Sequence, residues 1–159
     1  FNCRILINDI IDLSGYSRSN KVESVTKEYL FQNADLISIH TPLNSSTKDM
    51  INKEIILLMK KSVFLINTAR GSAVVTDDLV EALISKKILG ACLDVLEYEK
   101  LSFENLFEND NLPEAFNYLI NADNVLLSPH IAGWTKESKV KLGQVVVDKV
   151  EAIFYPKNK

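Results

Sequence analysis

"VFLINTARGSAVVTDDLVEALISKKILGACLDV", residues 63–95, holds an apolar run, a polar break, an amphipathic stretch and a second apolar run. Residues 63–67 and 88–95 are short, nearly continuous in apolarity and rich in Ile, Leu and Val, the pattern of strands buried on both faces of a parallel sheet. Between them residues 76–87 read as a helix. Thr76 is the expected N-cap, Asp77 and Asp78 fall in the first turn, Lys86 and Lys87 in the last, and Gly90 stands just beyond. The charges thus oppose the helix dipole at each end.

The same alternation extends in both directions. Residues 4–8, 36–40 and 125–128 are further strand-like runs, and residues 24–33, 52–60 and 135–154 carry helical patterns. Ile55, Ile56, Leu58 and Met59 form a core-facing stripe in one, and Val140, Val147, Val150 and Ile153 recur at helical spacing in another. Strands alternating with helices specify an α/β protein with a parallel sheet and right-handed crossovers. Residues 101–121 break the rhythm with acids, aromatics and Pro113, and read as a loop with one or two short helical turns.

Composition narrows the function. At 159 residues, 47% apolar and 25% charged, the chain is sized for one domain with a full core. The net charge of -3 leaves no electrostatic footprint for nucleic acid. No apolar stretch is long enough to span a bilayer and no leader is recognisable, so a cytoplasmic location is expected. Cys3 and Cys92 lie in apolar, strand-like surroundings and are expected to be buried thiols in a reducing compartment. With His40 and His130 the only histidines, no metal site is expected. The first residue is Phe1, and the sequence enters a strand almost at once, which reads as the middle of something longer.

In open parallel sheets ligands bind beyond the carboxyl ends of the strands. Each expected strand ends in polar residues: Asp9; His40 and Thr41; Asn67, Thr68 and Arg70; Asp94, with Glu97 and Glu99 following; Ser128 and His130. Arg70 offers a planar fork of donors matched to a carboxylate, and Gly71 removes bulk where backbone and ligand approach. A surface arginine after a turn is the competing reading. His130, behind Pro129, is a candidate acid/base or a structural histidine. Glu99 is either its partner or an ordinary loop acid. Asp9 is either a ribose-binding acid, which favours NAD, or a turn residue. No G-x-G-x-x-G and no P-loop is present.

Four stretches taken together carry a resemblance: "ADLISIHTPLNSST" (34–47), "INTARGSAVVTDDLVEAL" (66–83), "GACLDVLEYE" (90–99) and "NVLLSPHIAGWT" (124–135). In this order they make the chain resemble the D-isomer-specific 2-hydroxyacid dehydrogenases, from about Arg4 to Ile153. The resemblance implies a doubly wound, Rossmann-like parallel sheet lacking its first strand, glycine loop and helix. Residues 1–134 would form an incomplete NAD-binding domain, and residues 135–159 a helix returning toward a mostly absent substrate domain.

The roles that follow are those of the family. Arg70 matches the arginine on the substrate carboxylate, His130 the acid/base, and Glu99 the carboxylate paired with it. Asp94 matches the residue near the nicotinamide carboxamide, with Thr68, Ala69 and Gly133 in the cofactor wall. Asp9 matches the ribose-binding acid, and His40, Thr41 and Pro42 the adenine-side wall. The implied cofactor is NAD, the partner a small 2-hydroxy or 2-keto acid, and the assembly a homodimer. Lys100 stands where proline is common and Cys92 where a smaller residue is usual. Two other readings stay open: a non-catalytic NAD-sensing or interaction module, and an inactive truncated product.

Overall fold

The structure, a computed structural model, describes residues 2–11, 13, 21–98 and 113–155. The elements are β1 (Ile5–Ile7), β2 (Val22–Ser24), α1 (Lys27–Asn33), β3 (Leu36–Ile39), α2 (Lys53–Leu58), β4 (Val63–Asn67), α3 (Thr76–Ile84), β5 (Ile88–Leu93), α4 (Glu114–Asn121), β6 (Val125–Leu127) and α5 (Lys136–Phe154). Every strand pair is parallel. The strands form a two-stranded sheet, β1-β2, and a four-stranded sheet in the order β3-β4-β5-β6. The α/β architecture expected from strand–helix alternation is therefore present, and β2 is a strand that the sequence pattern did not signal. Its three residues, Val22, Glu23 and Ser24, are too few and too mixed for a period to register.

One face of the four-stranded sheet carries the core. Ile37, Ile39, Val63, Leu65, Ile88 and Leu93 from the strands meet Phe31 of α1, Ile56 of α2, Leu79 and Leu83 of α3 and Leu119 of α4. Fully burying each such side chain contributes about 1.5–3 kcal/mol, so this layer supplies most of the drive to fold. The opposite face is left bare by the described residues. Leu36, Phe64 and Leu126 are 53%, 47% and 63% exposed, and the register places Leu36 beside Phe64 and Cys92 beside Leu126. Among the described residues, burial is therefore seen on one face of this sheet. Cys92, expected inside, is exposed because it points to that bare face, and Cys3 is exposed as well.

Several local expectations are also corrected. Thr76 is the first residue of α3, not its cap; the cap position is Val75, and the N–H of Thr76 donates to Glu97 Oε2 at 2.8 Å. A carboxylate from a distant loop thus serves the helix N-terminus. The helix ends at Ile84, and Lys86 follows with φ 58, so a lysine takes the left-handed position after the helix. Gly90 lies inside β5, where an added Cβ would come within 2.8 Å of the Asn124 carbonyl. Lys87 Nζ donates to the carbonyls of Leu57 and Met59 and closes the C-terminal end of α2. Of the expected loop at 101–121, residues 114–121 form a regular helix of eight residues, while 101–112 lie outside the described residues.

The helices start where their caps allow. Thr26, Asn52 and Thr135 each accept a backbone N–H from three residues on, at 3.2, 3.1 and 3.0 Å, opening α1, α2 and α5. Helix α5 differs from the others in having no buried residue. Val140, Leu142, Val146 and Ile153 are all exposed along its length. No described helix is long and apolar enough to cross a membrane.

Candidate active site

The carboxyl ends of β4, β5 and β6 are stitched together by backbone bonds. Asp94 N donates to Asn67 O at 2.9 Å, Ser128 N to Leu93 O at 3.0 Å, and His130 N to Asp94 O at 2.9 Å. Parallel register alone brings the Arg70 turn, Asp94 and His130 to neighbouring strand ends.

The Arg70 turn is held from within. Asn67 is 1% exposed, and its side chain bridges the turn, accepting from Ala69 N at 3.1 Å and donating to Arg70 O at 3.0 Å. A buried amide satisfied on both sides fixes the backbone from which Arg70 departs. Ala69 is buried, Thr68 and Arg70 are exposed, and the Arg70 guanidinium donates to the carbonyl of Ala69 at 2.6 Å. Gly71 has a different reason from the one expected. An added Cβ would sit 1.8 Å from the carbonyl oxygen of Leu96, so the close approach is from the protein's own backbone after β5, not from a ligand.

Asp94 is the hub of the site. It is 4% exposed and its carboxylate accepts from Ser128 Oγ at 2.6 Å, Ile131 N at 2.9 Å and Ala132 N at 2.9 Å. Burial pushes its pKa upward, but these hydrogen bonds and the nearby His130 outweigh it, and the group ends below the usual carboxylate range. The segment so gripped carries His130, which sits at φ 54. For a non-glycine residue that left-handed conformation is uncommon and is sustained by its surroundings.

The other expected residues fall around this centre. His40 and Thr41 follow β3, whose last residue pairs with Asn67. Ser38 Oγ and His40 Nε2 lie 2.8 Å apart, and the carbonyl of Pro42 accepts the Thr47 hydroxyl at 2.6 Å. Thr41 Oγ1 is buried with no hydrogen-bond partner among the described residues. Asp9 is exposed beyond β1, where its Oδ1 accepts from Ile10 N at 2.7 Å. A cleft of about 590 Å³, lined by Asn8, Glu23, Ser24, Val25, Thr26 and Tyr29, opens at the same strand ends. Gly133 is exposed, with open space where a Cβ would stand. Glu99 and Lys100 lie outside the described residues. A second groove, of about 450 Å³ near Lys61, Ser62 and Lys86, lies at the amino ends of β4 and β5, away from this chemistry.

The carboxyl ends of these parallel strands gather an arginine, a buried acid and a strained histidine, at the edge of an open α/β sheet where ligands bind. The family model described as "D-isomer specific 2-hydroxyacid dehydrogenase, NAD binding domain" matches residues 1–132. The chain therefore belongs to the D-isomer specific 2-hydroxyacid dehydrogenases and matches their NAD-binding domain, so its cofactor is NAD.

It is 37% identical over 129 residues to hydroxypyruvate reductase of Thermotoga maritima, covering 81% of this chain and 39% of that protein. It is 38% identical over 141 residues to D-specific alpha-keto acid dehydrogenase of Enterococcus faecium, covering 87% and 41%. The NAD-complexed D-isomer specific 2-hydroxyacid dehydrogenase of Lactobacillus delbrueckii ssp. bulgaricus superposes with a TM-score of 0.83 at 30% identity, over 98% of this chain and 47% of that one. The chain thus spans about two fifths of the length of these curated relatives.

Asn67, Glu97 and Ser128, expected only as polar residues at the strand ends, turn out to hold the Arg70 turn, the start of α3 and the Asp94 carboxylate. A buried polar residue inside an apolar run, as Asn67 is in "VFLIN", was the available signal.

Proposed function

We propose that this chain is part of an NAD-dependent oxidoreductase that interconverts a D-2-hydroxy acid and a 2-keto acid. The observation that carries the reading is the grip of buried Asp94 on the His130 segment, directly beside the locked Arg70 turn. Arg70 binds the substrate carboxylate with its planar fork and draws electron density from the neighbouring keto oxygen. His130 takes the hydroxyl proton in oxidation and returns it in reduction, with Glu99 as the carboxylate that supports its charged form. NAD supplies the hydride acceptor or, reduced, the hydride donor. Asp9 takes the ribose, His40, Thr41 and Pro42 the adenine side, and Thr68, Ala69, Asp94 and Gly133 the nicotinamide side.

Residues 1–134 then serve as NAD-binding domain and 135–159 as the helix returning to a substrate domain, in a cytoplasmic homodimer. The exposed apolar residues of α5 support that placement. By itself the chain is proposed to be inactive, because it has no glycine turn to receive the pyrophosphate.

A chimera tests this: the matched region of the Thermotoga maritima hydroxypyruvate reductase is replaced with residues 1–132 of this chain. NADH-dependent reduction of hydroxypyruvate by the chimera, with none by residues 1–159 alone, is the expected result. A folded chimera that binds NADH but reduces no 2-keto acid would favour a nucleotide-sensing module.

A further inference from the structure

We propose that the groove at the amino ends of β4 and β5 is a binding site for a small organic phosphate, held by Lys61, Ser62 and Lys86. It lies at the end of the sheet opposite Arg70, Asp94 and His130, and the proposed dehydrogenase reaction makes no use of it. Strand register builds it. Val63 pairs with Ile88, so residues 61–62 and 86–87, which lead into those strands, stand side by side. Between them and helices α2 and α3 the groove encloses about 450 Å³, within the range of about 300–1,000 Å³ typical of small-molecule sites.

The charge of the groove is positive. Four lysines and two acids line it, which leaves two positive charges in excess. Both acids are engaged: Glu81 Oε2 accepts from Lys53 Nζ and Asp78 Oδ2 from Lys53 N, each at 2.7 Å. The carbonyl ends of the two helices, which would repel an anion, are occupied as well. Lys87 Nζ donates to the carbonyls of Leu57 and Met59, Ser85 Oγ to that of Ala82, Ser85 N to that of Glu81 and Lys86 N to that of Leu83. The ammonium groups of Lys61 and Lys86 and the Ser62 hydroxyl remain, with no hydrogen bond or ion pair among the described residues. Two cations and a hydroxyl match the two charges and the acceptor oxygens of a phosphate monoester.

Backbone conformation marks the same residues. Ser62 and Lys86 take φ 65 and 58, the left-handed region where glycine or asparagine is the ordinary choice. Of the four described non-glycine residues with positive φ, two line this groove and a third is His130. Strain of this kind clusters at ligand clamps. The groove also offers an apolar wall, where Leu57 stands exposed beside Ile56 and Ala82. An alkyl or aryl group on the phosphate would cover that wall, so the ligand is an organic ester in place of the bare ion.

The probe is phenyl phosphate, titrated at about pH 7.5, where the ester is a dianion, into the isotope-labelled full chain and followed by amide NMR shifts. Saturable shifts at Lys61, Ser62 and Lys86 are the expected result. Lys61→Gln and Lys86→Asn, the latter a residue that accepts the left-handed backbone, should each raise the Kd about fivefold or more. Added salt should weaken binding further. Benzoate, with one charge, should bind several-fold more weakly, and benzyl alcohol, with none, should leave the spectrum unchanged. The spectrum itself reports that each variant is folded. No saturable shift at millimolar concentration, shifts confined to the surroundings of Arg70 and His130, affinity unchanged in both variants, or equal affinity for benzoate or benzyl alcohol would overturn the proposal. No turnover is read and no residue of the proposed active site is altered, so failure here is separable from failure of the dehydrogenase reading.

Discussion

The backbone N–H of His130 donates to the carbonyl of Asp94 at 2.9 Å, while the Asp94 carboxylate takes the next two amides, Ile131 and Ala132. One buried residue thus sets both the position and the left-handed backbone of the histidine. Strain of this kind costs about 1–3 kcal/mol and persists because its surroundings hold it.

Replacing Asp94 with Asn should therefore destabilise the chain by about 2 kcal/mol, since an amide NH₂ would face donors that now meet a carboxylate. The pH dependence has a definite sign. The folded-state pKa of Asp94 lies below its ordinary value, so its contribution is complete above the unfolded value of about 3.9 and fades as pH falls through the lower folded value. Urea midpoints measured from pH 6 down to pH 2 should show an acid-side loss that is reduced in Asp94→Asn. Identical slopes in the two proteins would refute the assignment.

Gly71→Ala should cost about 3 kcal/mol or more, beyond ordinary overpacking, because the added methyl meets backbone that no rotamer change can move. The contacts are 1.8 Å to Leu96 O and 2.6 Å to Glu97 N. Chemical denaturation of the purified chain is sufficient to measure this, and a loss within 0.5 kcal/mol of zero would show that the post-β5 backbone yields freely.

Glu97→Gln should lower stability by about 1 kcal/mol by taking charge from the N-terminus of α3 while leaving an acceptor for Thr76 N. Glu97→Ala should cost more. If both variants melt with the parent chain, the 2.8 Å bond does not cap the helix in solution.

The sequence pattern reached the sheet because β3, β4 and β5 are set by runs of Ile, Leu and Val that need no tertiary information. It missed what depends on long-range approach. The role of Gly71 arises from Leu96, the start of α3 from Glu97, and the exposure of Cys92 from which face of β5 it stands on. Arg70, Asn67, Asp94 and His130 were legible as strand-end polar residues, but the structural role of Asn67 was not. Its bridge across the turn appears only when residues 67–70 are seen folded back.

The most direct test of the dehydrogenase account is kcat/KM for NADH-dependent hydroxypyruvate reduction by the chimera carrying Arg70→Lys. Lysine keeps the charge and loses the bidentate fork, so the account predicts a fall of about a hundredfold or more with NADH affinity unchanged. Unchanged kcat/KM would contradict it, because Arg70 would then be an ordinary surface residue at the end of a strand.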